Sequence, residues 1–326
     1  MPLNTQQLAT VSLVRNEADI IEAFVRHHLG LVGRMLVILH RPNVPNLIAD
    51  NTEQILNELV AEGLPLEVRI FEENNYAQRK VITNAVQDIA KRPDIKWVFP
   101  LDADEFLMPL GGRTLLEALA EFDDSMAQQM AWQTYVPTAL DDQGVVNPAC
   151  RIQRRRVREP ERTNKVIVPA NLAANPKSRI SQGSHRFKMG KISLNVECDS
   201  IALAHIPIRS IRQIRTKVFN GWLQDLSTPN KTDGPNLHWG KLYERLSCGE
   251  EITGSILEDL ALDYRSSPLP DPDRSLILDP IPATESELRY EIKPINPWAV
   301  LAANAEAMAK SVGERNRSGI FSWRAQ

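Results

Sequence analysis

The stretch Ile95-Lys96-Trp97-Val98-Phe99-Pro100-Leu101-Asp102-Ala103-Asp104-Glu105-Phe106 decides how this chain folds. A short apolar run bounded by polar residues has the pattern of a buried strand in an α/β sheet. That strand runs directly into three carboxylates, Asp102, Asp104 and Glu105. If extended geometry continues past Leu101, Asp102 and Asp104 project to the same face, because strand side chains repeat every two residues. Two such carboxylates repel each other unless a cation lies between them. A hard divalent ion, Mg²⁺ or Mn²⁺, carried in by a phosphate-bearing substrate would supply that charge. An Asp-x-Asp triplet arises by chance about once in a chain of this length. Its place at the carboxyl end of a strand, where ligands bind in open α/β sheets, gives it weight. The immediate return to Phe106 and Leu107 anchors the acidic turn on both sides.

Upstream, residues 9–14 read as a first strand ending at Arg15-Asn16-Glu17. A helix follows, with Ile20, Ile21, Phe24, Val25, Leu29 and Val32 at helical spacing and Asn16 or Asp19 as its N-cap. A strand, a polar turn and a helix starting there make a nucleotide-binding corner or simply a capped helix. His27 and His28 lie on this helix about 100° apart, so they do not share one metal and suit a packed, hydrogen-bonded role. Residues 35–40 form a second strand, 52–61 a helix closed by Gly63, and 66–71 a third strand. The next helix buries Val81, Ile82, Ala85, Val86, Ile89 and Ala90, with Gln78 and Arg79 in its first turn. A cation there opposes the helix dipole but is well placed to meet an anion. Residues 9–108 thus alternate strand and helix, the pattern of a mostly parallel sheet. No Gly-x-Gly-x-x-Gly follows the first strand and no Gly-x-x-x-x-Gly-Lys-Ser/Thr occurs, which counts against dinucleotide oxidoreductases and P-loop NTPases.

Downstream, residues 114–122 read as a short helix, and 130–136 and 165–169 as strands. Six arginines crowd residues 151–162, either a solvated ribbon or a surface for an anionic substrate or membrane. His185 sits in a Gly-Ser-His turn. The apolar strand at 200–205 ends at His205, and Pro207 stops further pairing. A histidine at one strand end and an acidic turn at another can complete a metal shell. A helix capped by Ser210 follows, then helical residues 241–263, a proline-dense strap at 266–282 and a final helix at 298–312. This tail is expected to pack on the core or to mediate self-association.

At 326 residues and net charge −3, the chain has ordinary apolar and charged fractions and no global sign of nucleic-acid binding. Three scattered cysteines, Cys150, Cys198 and Cys248, argue against a disulfide framework or structural zinc and fit a reducing cytosol. No apolar run approaches the ~18–20 residues needed to span a bilayer. The expected location is the cytoplasm, with at most peripheral contact at the inner membrane face.

Taken in order, Arg15-Asn16-Glu17 before a helix carrying His27-His28, Trp97 ahead of Asp102-Ala103-Asp104-Glu105-Phe106, and His205-x-Pro-x-Arg209-Ser210 resemble the family-2-type glycosyltransferases. The closest resemblance is to the bacterial subgroup with an Asp-x-Asp-Glu-Phe turn, over residues 10–220. It implies a GT-A-like, Rossmann-type α/β fold, with a mixed, mostly parallel sheet flanked by helices. Residues 1–240 would form the nucleotide-sugar-binding and catalytic domain. Residues 241–326 would be a mostly helical C-terminal extension. The implied activity is transfer of a sugar, with inversion, from a nucleotide-sugar donor to a glycan or glycolipid acceptor. Under this resemblance Asp104 binds a divalent metal, Mn²⁺ or Mg²⁺, Asp102 binds the metal or the donor ribose, and His205 adds a metal ligand. Asn16, Glu17, Gln78 and Arg79 approach the donor. The catalytic base is assigned to His185, with Glu105 and Asp233 as rivals. In place of the family's acidic turn after the second strand the chain has His40-Arg41-Pro42-Asn43, with Asp50-Asn51 only later. Two alternatives remain open: a nucleotidyltransferase with the same metal–diphosphate site, and a non-catalytic binding module on a degenerate transferase fold.

Overall fold

The computed structural model describes residues 3–41, 48–73, 77–161, 163–226, 237–264, 272–282, 287–296, 298–303, 305, 306 and 310. The loop at 42–47, Asp233, the proline-dense start of the strap at 266–271 and the end of the last helix lie outside these residues. The first half follows the periodicity of the sequence: β1 (Leu8–Val14), α1 (Ile21–Leu29), β2 (Arg34–His40), α2 (Thr52–Ala61), β3 (Leu66–Phe71), α3 (Gln78–Ala90) and β4 (Trp97–Pro100). β5 (Glu105–Pro109), α4 (Leu115–Leu119), β6 (Ala127–Thr134), α5 (Pro148–Arg151), β7 (Arg154–Arg156), β8 (Asn164–Pro169) and α6 (Ala170–Ala173) follow. Then come β9 (Ser178–Ile180), β10 (Phe187–Met189), β11 (Ile192–Ser193) and β12 (Asn195–His205). The chain continues with α7 (Ile211–Leu226), α8 (Leu237–Ser247), α9 (Gly254–Leu262) and β13 (Leu276–Leu278).

Eight strands form one sheet in the order β3-β2-β1-β4-β8-β6-β12-β5. β1 is central and every residue in it is buried. Ala9, Val11 and Leu13 face the α3 side of the core, while Leu8 and Val14 face α1 and α2, the two-residue alternation of a strand covered on both faces. The sheet is an α/β sheet flanked by helices, and it is mixed: β8 and β5 run against the other six strands. β3, β2, β1 and β4 are mutually parallel, and β6 runs parallel to β12. β8 is antiparallel to both β4 and β6, and β5 is antiparallel to β12.

The acidic turn departs from extended geometry. β4 stops at Pro100, residues 101–104 turn, and β5 begins at Glu105 on a different part of the sheet. Asp102 and Asp104 therefore do not share a strand face. The first helix also starts differently: Ile20 is its N-cap with no side-chain cap bond, which releases Asn16 and Asp19 for other partners.

The C-terminal helices build a second core. Ile214, Val218 and Phe219 of α7 pack with Leu242, Leu246, Leu257 and Ala261 of α8 and α9. The helical reading of 241–263 is broken at Gly249, whose φ of +87° suits glycine, and α9 restarts with Thr253 capping Ile256. Within the arginine run, Arg155 and Arg156 are not part of a solvated ribbon. Arg156 is buried and donates to the carbonyls of Leu262, Asp273 and Arg158, while Arg155 pairs with Asp279 at 2.6 Å. These bonds fasten the C-terminal segment, whose β13 pairs with β7. Among the described residues no helix is long and apolar enough to cross a membrane.

Sequence-adjacent His27 and His28 explain how the turn is held from behind. β5 ends the sheet, so one backbone edge of Leu107 has no strand partner. His28 Nδ1 donates to the Phe24 carbonyl at 2.7 Å, leaving Nε2 to accept the Leu107 N–H at 3.3 Å. His27 Nε2 donates to the Leu107 carbonyl at 2.9 Å. The two rings, which pack on Phe106, thus satisfy both polar groups of one buried edge residue. Burial lowers the His27 pKa from 6.5 to about 4 and pushes His28 well down. A histidine held neutral in the folded state supports stability above its unfolded pKa and loses that support as pH falls toward its folded value. Between pH 6.5 and 4 the His27 contribution should decline by about 3 kcal/mol. Urea denaturation across that range should show a smaller decline for His27→Gln than for the unsubstituted chain.

Candidate active site

The turn after β4, the corner after β1 and the end of β12 converge on a buried cluster of charges. Arg209, 2 % exposed, lies just beyond β12. Its guanidinium reaches Glu17 at 2.5 Å and Asp19 at 2.8 and 2.9 Å, and its third nitrogen lies 3.8 Å from Asp104. Lys217 of α7 approaches the same Asp104 oxygen at 3.5 Å. A second ion group meets it from β8. Lys165 is fully buried on the face shared with Ile167, and contacts Asp102 at 2.6 Å and Glu105 at 3.0 Å.

In this cluster five carboxyl groups face three cations, and the protonation pattern follows. Burial raises Glu17 to about 7 against the pull of Arg209 and Lys217. Burial likewise raises Glu105 to about 8, despite Lys165. Its Oε2 accepts the Asp102 N–H and pairs with Lys165, whereas Oε1 is buried without a hydrogen-bond partner. For Asp104 burial acts upward too, but Lys217, His205 and Arg209 outweigh it and hold the group down to about 2. Lys165 and Arg209 stay charged because their carboxylates outweigh the desolvation cost.

The sequence-assigned residues separate into distinct places. Asp104 Oδ1 faces His205 Nε2 at 3.9 Å. Trp132 stacks on the His205 ring with centroids 4.0 Å apart, and Tyr264 meets that ring at 5.4 Å. If a divalent ion were bound here, Asp104 and His205 are the two side chains that would hold it, with the Lys217 and Arg209 cations beside the same carboxylate. Among the described residues no group of three or more His, Cys, Asp or Glu side chains is arranged to hold one. Further coordination positions would therefore fall to water and to ligand oxygens. Asp102 is not aimed at His205: its carboxylate is held by Lys165 and, at 3.3 Å, by Gln78. Gln78 also accepts from Gln182 at 2.6 Å, and Arg79 is exposed on the first turn of α3. Glu105 is fully buried, its Oε2 held by Lys165 and the Asp102 N–H. His185 bonds to the Asn164 carbonyl at 2.7 Å and contacts Trp132, one aromatic ring removed from the Asp104–His205 pair.

Beside the cluster opens a cavity lined by Arg15–Asp19, Asp50, residues of α7 including Arg212 and Lys217, and Pro294–Ile295. Asn16 lines it with φ at +55°, a left-handed conformation that asparagine tolerates, and its Oδ1 accepts the Asp50 N–H at 3.3 Å. Asp50 in turn accepts the Ala18 N–H at 3.0 Å, and Thr52 Oγ1 accepts the Glu17 N–H at 2.8 Å. Asp50, just before α2, thus joins the wall of this cavity. Lys165, Arg209, Lys217, Arg212 and Asp50 were not assigned roles from sequence. Lys165 carried one signal, a lone charge heading an otherwise apolar strand. The others depend on contacts across long separations.

No family model matches the chain, and no curated protein matches it. Among solved structures, it is similar to HddC from Yersinia pseudotuberculosis, at 10% identity and a TM-score of 0.34, over 61% of this chain and 94% of that one. It is also similar to a putative glucose-1-phosphate thymidylyltransferase from Bacillus anthracis in complex with a sucrose. That match has 7% identity and a TM-score of 0.33, over 72% of this chain and 99% of that one. Both links are distant, and the reading of the site rests on its residues.

Replacing Lys165 by Met leaves the buried Glu105 and the half-buried Asp102 without their cation and should destabilise the fold by about 3 kcal/mol. The double variant Lys165→Met with Glu105→Leu should recover much of that loss in urea denaturation. Equal instability of the single and double variants would mean that Lys165 contributes by packing rather than by charge.

Proposed function

We propose that the chain is a nucleotide-sugar-dependent glycosyltransferase assisted by a divalent metal, transferring a sugar to a glycan or glycolipid acceptor with inversion. The observation that carries this reading is the Asp104–His205 pair placed next to a cavity whose rim holds Arg15, Arg212 and Lys217. A nucleoside diphosphate leaving group gains negative charge as the sugar departs, and fixed cations around it lower the barrier. A bound Mg²⁺ or Mn²⁺ would neutralise part of that diphosphate charge. Lys217, its side chain 30 % exposed and 3.5 Å from Asp104, lines the cavity where an incoming phosphate would meet it. Arg209 holds Glu17 and Asp19 through Nε and Nη2 and so fixes the corner, while its Nη1, 3.8 Å from Asp104, makes no hydrogen bond among the described residues. Asp50, Asn16 and Asp19 offer acceptors to sugar or ribose hydroxyls.

The same cations would serve a pyrophosphate leaving group, so a nucleotidyltransferase is the second reading. Mass spectrometry of products separates them. Release of nucleoside diphosphate from a nucleotide sugar supports transfer of the sugar. Release of pyrophosphate from a nucleoside triphosphate plus a sugar phosphate supports the second reading. Binding without either product leaves a binding module.

Calorimetric titration with UDP, GDP, dTDP and CMP, each with and without Mn²⁺, should show metal-dependent binding of one nucleotide. Asp104→Ala should remove the metal dependence. Lys217→Ala should weaken binding by about 1.5–3 kcal/mol, the value of a charged hydrogen bond. Arg79→Ala, on the exposed turn of α3, should leave it within about 0.5 kcal/mol. Loss of binding in Arg79→Ala with none in Lys217→Ala would place the phosphates beside α3 instead.

A further inference from the structure

The C-terminal segment 287–296 is fastened to the α/β body by Glu22, Glu62 and Asn51, the two glutamates also pairing with Arg26 of α1. Glu22 of α1, 2 % exposed, accepts the backbone N–H groups of Arg289 and Tyr290 at 3.0–3.1 Å. Glu62, just past α2, pairs with Arg289 and accepts from the Tyr290 hydroxyl. Asn51 imitates a strand neighbour: its Nδ2 donates to the Glu291 carbonyl at 2.8 Å, and its Oδ1 accepts the Lys293 N–H at 2.7 Å. Leu288, Tyr290 and Ile292 pack on the main core between these bonds. The segment then delivers Pro294 and Ile295 to the cavity, with Ile295 buried in the helical core and Pro294 exposed. Asn51 directly follows Asp50, which lines the same cavity, so one corner of α2 sets both a polar wall and this apolar one.

The cavity is therefore two-sided. Cations and carboxylates stand on the side of the acidic turn, and a proline–isoleucine face stands on the strap. A ligand that fits both is charged at one end and flat and apolar-faced at the other. We propose that Pro294 and Ile295 form the wall against which the nucleobase of the bound nucleotide packs, and that Asn51 is a positioning residue that sets this wall. This rests on the nucleotide reading above and adds that the C-terminal extension, rather than only the α/β body, selects the base. One apolar contact of this kind discriminates among ligands by about 10–200-fold.

The test compares a nucleotide with its base-free part. Inorganic pyrophosphate with Mn²⁺ probes the charged side; the nucleotide bound by the unsubstituted chain, with Mn²⁺, probes both sides. Ile295→Ala, Pro294→Ser and Asn51→Ala are each titrated with both ligands, after circular dichroism confirms folding. Pro294 is exposed, so its variant reports even if Ile295→Ala fails to fold. The expected result is a tenfold or greater loss for the nucleotide with pyrophosphate affinity unchanged. Unchanged nucleotide affinity, or an equal loss for both ligands, overturns the wall. If the unsubstituted chain binds pyrophosphate but no nucleotide, the nucleotide reading itself fails and the wall with it.

Discussion

A guanidinium sealed from water has to be surrounded by carboxylates, and Arg209 meets that requirement by drawing three distant segments together. Glu17 and Asp19 come from the corner after β1, and Asp104 from the turn after β4. Removing any one of them would leave a buried charge short of its partners, a far larger penalty than the loss of a surface ion pair. The backbone around Arg209 is held as well, since its carbonyl accepts from Arg151 and its N–H donates to Gln213. The corner, the turn and the start of α7 thus behave as one unit. The cavity beside them inherits its shape from that unit.

Charge within the cluster is left incompletely balanced, and the imbalance is specific. Lys165 contacts both Asp102 and Glu105, yet burial raises Glu105 to about 8, as it raises Glu17 to about 7. On the other side, Asp104 remains ionised because Lys217, His205 and Arg209 all favour its charge. The turn therefore presents one firmly anionic oxygen pair toward the site and one largely neutral carboxyl toward the core. Two carboxyls adjacent in sequence thus differ in charge because their surroundings differ.

How much of this could be read beforehand varied with the range of the interaction. Strand and helix periodicity located the elements from β1 to β4 almost to the residue, because each has an apolar stripe at its own spacing. Asn16, Glu17, Asp104 and His205 all reach the cluster or its cavity, as strand-end positions suggested. What failed was geometry: the chain turns at Leu101, so alternation no longer says where Asp102 points. Lys165 was hidden because its partners lie some sixty residues away, and a lone lysine in a strand does not announce them. The arginine run misled for a related reason. Its partners are backbone carbonyls of the C-terminal segment, which carry no sequence signature. Short strands β9 to β11, two or three residues each, are below the length at which periodicity is legible.

The histidine pair behind β5 bears on how copies of this molecule meet one another. A terminal strand normally offers its outer backbone groups to any passing chain, and extended pairing can begin there. At Leu107 both groups are already spoken for by side chains of α1. The opposite end, β3, carries Glu67 and Arg69, paired with each other and with α3 and the turn that follows it. Sheet growth is thus blocked by imidazoles at one end and discouraged by charge at the other. The eight strands close off as a finite object, without becoming a barrel.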